Sequence, residues 1–192
     1  MAPSDDALPT GSEDSSLTGR GLVAVEHILG NVDAPIIVLE YGDYECPYCA
    51  GAAPVLRQLV EESDGLVRLV FRNFPLFEVH PHALIAALAA ESTVSAGVFW
   101  DMHKLLFKRQ DRLEDEDLRR YAALVGADPD LAAGEPAQAF APKVQADYAA
   151  GVEAGVRGTP TLHINGDPYH GRVELSALRK ATGTSYGRRR PR

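Results

Sequence analysis

Cys46 and Cys49 are the two cysteines of a 192-residue chain, and they stand three positions apart as Cys46-Pro47-Tyr48-Cys49. A disulfide between thiols this close closes too small a loop to remove much entropy from the unfolded chain, so it staples nothing. Their chemistry is therefore local. The pair follows an apolar run and opens a helical pattern, which sets Cys46 at a helix N-terminus. There, unsatisfied backbone N–H groups and the positive end of the helix dipole stabilise a thiolate. Such a site lowers a thiol pKa from about 8.5 to between about 3.5 and 7.5. A two-unit drop amounts to about 2.7 kcal/mol. Cys46 is thus the attacking sulfur, expected to be accessible. Cys49, one turn inside the helix, is expected to be shielded and to resolve the mixed disulfide.

Two other fates are open to these cysteines. A structural zinc site is normally closed by four protein ligands. His80 and His82 could complete a Cys2His2 set, but their H-x-H spacing lies just before a helix, and Pro47 with Tyr48 resembles no zinc knuckle. No metal is expected. Inert core cysteines are the remaining alternative, and the succession of strand, turn, C-P-Y-C and amphipathic helix argues against them. No cofactor is required beyond a redox partner.

The elements that must position the dithiol are written in the hydrophobic pattern. Ile36, Ile37, Val38 and Leu39 form a continuous apolar run, the mark of a strand buried on both faces. Residues 41–45 break it and lead into Cys46. From Pro47 to about position 62, Ala52, Val55, Leu56, Leu59 and Val60 recur at helical spacing. Pro47 suits the first turn, where its missing N–H costs nothing, and Pro54 is expected to kink the helix. Residues 66–72 alternate as a second strand, with Val67, Leu69 and Phe71 on one face, completing a βαβ unit. Ala- and Leu-rich helical patterns follow at 83–91, 98–109, 115–125 and about 137–154, a helical block inserted into an α/β frame. Residues 161–164 are then a strand, Asn165-Gly166-Asp167 a hairpin turn, Tyr169-His170 the start of a further strand, and 174–181 a closing helix. Ahead of all these, Leu22, Val23 and Val25 suggest a short strand.

A formal charge of -8 argues against nucleic acid, which needs concentrated Lys and Arg. The cluster Arg188, Arg189, Arg190 and Arg192 reads as a solvated tail. No stretch approaches the roughly 18 apolar residues of a membrane-crossing helix, so no membrane partner is expected. The acidic opening, with Asp5, Asp6, Glu13 and Asp14, lacks the basic-then-apolar order of an export signal. A cytoplasmic location is the expectation for the sequence as it stands.

The segment 39–49 resembles the active-site segment of the thioredoxin superfamily, specifically its DsbA-like branch. Gly158-Thr159-Pro160-Thr161, Phe74-Pro75-Leu76, His80-Pro81 and Phe99-Trp100-Asp101-Met102-His103 also look like this branch. The resemblance implies an α/β thioredoxin fold with an inserted helical domain. Its expected divisions are a disordered leader at 1–20, a first half at 21–74, the helical insertion at 75–157, a second half at 158–183 and the basic tail at 184–192. It further implies that Glu40, six positions before Cys46, shuttles a proton for Cys49. Pro160 is expected cis, and Thr159, Pro160, Pro47 and Tyr48 are expected to meet an extended substrate, docked by strand addition.

The function so implied is thiol–disulfide oxidoreductase, a protein disulfide oxidoreductase acting on protein or small-molecule thiols with a redox partner protein or glutathione. The alternative is a non-redox peptide-binding adaptor or redox sensor on the same fold. A glutathione-dependent transferase or isomerase is disfavoured by the presence of both cysteines. One departure bears on tuning: the best-known oxidants of the branch carry His where this chain has Tyr48. That substitution, with Asp43 and Glu45 nearby, is expected to raise the Cys46 pKa and set the pair near about -200 to -270 mV. His103, His163 and His170 read as satisfied or surface histidines.

Overall fold

The apolar run at Ile36 becomes β2 (Ile36–Gly42), the middle strand of a five-stranded sheet in the computed structural model, which describes residues 27–184. The strand order is β1-β3-β2-β4-β5, with β1 at His27–Leu29, β3 at Val67–Asn73, β4 at Thr161–Ile164 and β5 at Asp167–Tyr169. Because α1 (Pro47–Glu61) crosses between them, β2 and β3 run parallel; the other neighbours are antiparallel. The expected strand near Leu22, the leader and the arginine cluster lie outside the described residues.

Alternation along β2 decides where the site's carboxyl goes. Val38 packs with Leu69 and Leu162 against Ala52, Leu56 and Leu59 of α1 and Leu178 of α6 (Leu175–Thr182). Tyr41 packs on the opposite face with Phe74 and Val156, beside α5 (Ala141–Glu153). Glu40 shares the parity of Val38, so it lies on the α1 side of the sheet, fully buried. The continuous apolar run predicts burial on both faces, but the strand is enclosed only in part: Val38 and residues 40–42 are buried, whereas Ile36, Ile37 and Leu39 are half-buried. Helix cover is complete only at the end that meets the dithiol.

The helical block comprises α2 (Ala83–Ser92), α3 (Phe99–Lys108), α4 (Asp115–Val125), two short 3-10 turns and α5. Ala-rich α2 is buried nearly all round, as a helix at the centre of such a block must be. The single helix expected over about 137–154 is divided. Pro142 has no N–H for the Gln138 carbonyl, which accepts from Ala141 instead, so a tight turn at Pro136–Phe140 precedes α5. Helix α1 by contrast runs through Pro54. The hairpin turn is Asn165-Gly166, both at positive φ (51° and 89°), the paired geometry of a two-residue turn. Strand β5 begins at Asp167, earlier than expected, and its Pro168 is tolerated because the strand lies at the sheet edge.

Buried polar bonds fasten the block to the sheet. Asn73 Nδ2 donates to Glu91 Oε1 (2.6 Å) and Asp147 Oδ2 (3.2 Å), His27 Nε2 lies 2.7 Å from Glu91 Oε1, and Lys143 reaches Asp147 at 2.5 Å. Packing at this joint is tight at Gly151 of α5, where an added Cβ would lie 2.5 Å from Phe74 Cδ2 and 3.1 Å from Tyr41 Cδ1. The Phe74 ring is itself stacked on Tyr148 at 4.5 Å and has little room to yield. In Gly151→Ala the helix-propensity gain of about 1 kcal/mol opposes an overpacking cost of typically 1–3 kcal/mol. Because the ring is boxed in, a net loss of about 1–2 kcal/mol is expected in urea unfolding. Equal or greater stability would show that the joint is looser than the contacts describe.

Candidate active site

The turn after β2 delivers Cys46 to the start of α1. Asp43 Oδ1 accepts from Glu45 N–H at 2.7 Å, and the Asp43 carbonyl accepts from Cys46 N–H at 3.1 Å. Cys46 is the N-cap residue, Pro47 follows at the first position, and no acidic side chain lies in the first turn to compete for the helix terminus. The helical block holds this turn from the other side. Gln110, just past α3, donates Nε2 to the carbonyl oxygens of Tyr44 (2.8 Å) and Cys46 (2.9 Å). The buried Tyr44 hydroxyl meets His103 Nδ1 at 3.1 Å. Burial, with Arg57 and His27 nearby, pushes the His103 pKa down to about 3, so this histidine is a neutral core group.

Facing the dithiol is the loop before β4. The Thr159–Pro160 peptide bond is cis, and Cys46 Sγ lies 3.3 Å from the Thr159 carbonyl oxygen. That contact covers Cys46. The residue is 3% exposed, not accessible as expected, while Cys49 is 0% exposed. Both are free thiols. The surface of the site is offered instead by Pro47 and Tyr48, the latter 77% exposed. Thr159 and Pro160 are half-buried beside them.

The two sulfurs differ sharply in acidity. Cys46 is drawn down to about 5, first by the hydrogen bond from the Cys49 side chain, against the cost of burial. The Thr159 side chain and the backbone N–H groups of Cys49 and Tyr48 add to this. Cys49 is pushed far up, by burial first, then by giving its hydrogen bond to Cys46 and by the field of Glu40. Glu40 is raised to about 8 by burial, with the Cys46 charge adding, and both its carboxyl oxygens lack a hydrogen-bond partner. Three coupled ionisable groups thus occupy one strand end and one helix start.

Asp43 and Glu45 do not stand against the thiolate as bare charges, which corrects the reading of the turn. Asp43 Oδ2 accepts from Leu76 N–H (2.8 Å) and lies 2.8 Å from His80 Nδ1. Glu45 accepts from His82 N–H (2.6 Å) and lies 3.0 Å from His82 Nδ1, and His82 Nε2 meets Glu114 at 3.1 Å. The hydrogen bond to Glu45, against burial, raises the His82 pKa, with the Glu45 and Glu114 charges adding. Among the described residues no cluster of His, Cys, Asp or Glu is arranged to hold a metal. The H-x-H pair noted for zinc instead pairs with the two carboxylates. Sequence reasoning missed this pairing and missed Gln110; a glutamine in a turn carries no signal, but D-x-E before the cysteines and H-x-H before a helix are matched spacings. His163 is buried, with its Nδ1 unpartnered. A cavity of about 250 Å³ between α1 and α3, lined by Ala50, Pro54, Trp100 and Phe107 among others, does not include either cysteine.

A parallel β2-α1-β3 unit with C-x-x-C at the helix start and a cis-proline loop facing it defines a thioredoxin fold, here of the kind found in thiol–disulfide oxidoreductases. A thioredoxin family profile (Thioredoxin_4) matches residues 23–182. The chain belongs to this family. A thioredoxin-like oxidoreductase from Silicibacter pomeroyi superimposes with a TM-score of 0.70 at 28% identity, covering 82% of this chain and 90% of that one. BdbD from Bacillus subtilis shares the fold, with a TM-score of 0.71 at 24% identity over 82% of this chain and 91% of that one. Among curated proteins, Na(+)/H(+) antiporter NhaA 3 of Salinispora tropica is 40% identical over 168 residues, which are 87% of this chain and 26% of that protein. The chain therefore spans about a quarter of the length of the curated relatives it matches.

The raised Glu40 pKa has a stability consequence. Between the ordinary value of 4.5 and about 8, the folded state keeps a proton that the unfolded chain has released, so stability falls as pH rises through that window. Glu40→Gln lacks this proton. Its stability relative to the parent is expected to climb from pH 5 to pH 8, by on the order of 4 kcal/mol, and then level off. A pH-independent difference in urea midpoints would remove the buried carboxyl from the account.

Proposed function

We propose that the chain is a dithiol–disulfide exchange enzyme in which Cys46 attacks and Cys49 resolves. The observation that carries this is the split in acidity: Cys46 held at about 5 and its neighbour pushed far above the ordinary thiol range. At neutral pH one sulfur is a thiolate while the other keeps its proton. The Cys46 thiolate attacks a substrate disulfide, forming a mixed disulfide and expelling one substrate thiolate. With Cys46 Sγ bonded, its charge no longer helps hold the Glu40 proton on. Glu40 releases that proton to solvent and its carboxylate takes the one from Cys49, which attacks Cys46 Sγ and releases the second substrate thiolate, leaving the Cys46–Cys49 disulfide. Glu40 suits this role because its pKa of about 8 lies near working pH, and because both of its oxygens are unpartnered.

Protein substrates are favoured over small thiols by what surrounds the site. Tyr48, Val79 and Leu84 are exposed apolar side chains, and the Asp43–His80 and Glu45–His82 pairs bring the segment bearing the last two against the active-site turn. An extended chain laid along Thr159 and Pro160 would pair with backbone and cover these side chains. The antiporter names of the curated relatives belong to proteins of which this chain matches about a quarter, and ion transport is not carried over.

Cys49→Ala is expected to accumulate a mixed disulfide with a peptide disulfide, visible by mass spectrometry at Cys46, whereas Cys46→Ala accumulates none. Equal trapping by both variants would reverse or abolish the assignment of roles. A protein that binds peptide but exchanges no disulfide in either form would be the adaptor instead. Glu40→Gln should slow release of a trapped peptide roughly tenfold or more, since general-base assistance is typically worth 10² to 10⁴. Unchanged stopped-flow release would return Glu40 to a purely structural place.

A further inference from the structure

We propose that His80 is a positioning residue for the Cys46 thiolate, its proton cancelling the Asp43 carboxylate that the active-site turn cannot do without. This rests on the dithiol reading above and deepens it. Asp43 is built into the site three times: its Oδ1 shapes the turn through Glu45 N–H, its carbonyl holds Cys46 N–H, and its Oδ2 gathers Leu76 N–H. It is 1% exposed, so its charge is poorly screened where the thiolate must form. His80 is the side chain set against that charge, 2.8 Å from Asp43 Oδ2. It reaches there from the loop between β3 and α2, far in sequence from the cysteines.

The groups around His80 are few. Asp43, Glu45 and the Cys46 thiolate face it from the active-site turn, and all three favour its charged form. On its own loop stand Glu78 and His82, the latter engaged by Glu45 and Glu114. Burial pulls the His80 pKa down, but the bond and charge of Asp43, joined by Cys46 and Glu45, outweigh it and leave the pKa above the ordinary 6.5. Linkage makes the effect mutual: what the thiolate does for the His80 proton, the proton does for the thiolate. When Cys46 and Cys49 are oxidised the thiolate charge disappears, and His80 must become less basic. Oxidation by glutathione disulfide then yields the protein disulfide and two glutathione thiols. One of their two protons comes from Cys49 and the other from solvent, to which His80 returns the fraction of a proton it gives up.

The test needs no variant at its core. Two-dimensional NMR of the full chain gives the His80 pKa in the reduced and oxidised states, and a value about one unit higher when reduced is expected. In parallel, His80→Gln should raise the Cys46 pKa, read from thiolate absorbance at 240 nm. It should also shift the equilibrium constant with glutathione about tenfold toward the protein disulfide at pH 7, which is about 30 mV lower in potential. His80→Lys should restore the parental constant. The difference between parent and His80→Gln should fade below the Cys46 pKa of about 5, and again as pH rises through the His80 pKa, where the proton is lost. A His80 pKa identical in both redox states, in a protein that does equilibrate with glutathione, would overturn the proposal while leaving the dithiol reading intact. A protein that never equilibrates would instead defeat that reading itself.

Discussion

One negative charge on Cys46 organises this end of the molecule. A thiolate is costly in a place that is 3% exposed and 3.3 Å from the Thr159 carbonyl oxygen, and the donors around the sulfur offset that cost. The Cys49 thiol does so first, then the Thr159 side chain and the N–H groups at the start of α1. The helix provides those N–H groups without competition, having neither an acidic first turn nor a side-chain cap of its own. Cys46 itself occupies the capping position. The same hydrogen bond that lowers one sulfur raises the other, and burial, the larger cause at Cys49, widens the split in acidity between them.

Holding that charge in place falls to groups drawn from across the chain. Gln110 grips the carbonyl oxygens on either side of Glu45, and Tyr44 is buried against Phe71 and Phe107 with its hydroxyl on His103. The helical block is thus more than an appendage to the sheet. Its polar joint through Asn73, Glu91 and Asp147 keeps α2 and α5 in register with β3, which is the strand beside the one that ends at the dithiol. Buried polar joints of this kind are costly when half-made and specific when complete.

Elements were legible in the sequence wherever periodicity and punctuation agreed. The βαβ unit, the strand Thr161–Ile164 and the helix Asp115–Val125 follow directly from spacing. The one divided helix failed at Pro142, where a missing N–H outweighed a continuous Ala-rich pattern. Cys46, Cys49 and Glu40 could be placed because they lie on one short stretch of chain. The exposure of Cys46 could not, since the carbonyl that covers it arrives from Thr159, 113 residues away. The charges of Asp43 and Glu45 were read without the histidines that meet them for the same reason. A sequence shows which charges are neighbours along the chain, and electrostatics depends on which are neighbours in space.

That distinction bears on how a dithiol is tuned. In the oxidants of the branch that the sequence resembles, an imidazole lies between the two cysteines, and Tyr48 leaves this chain without one. An imidazole is nonetheless present, contributed by the loop after β3 and fixed on Asp43. The two arrangements are not equivalent. A residue between the cysteines is tied to the helix start and exposed, as Tyr48 is at 77%, so its charge is screened and its position is shared with substrate. A histidine held on a buried carboxylate is removed from the substrate's path and acts through a fixed geometry. Tyr48 is then free to present an aromatic face to whatever docks, while the burden of balancing Asp43 is carried elsewhere.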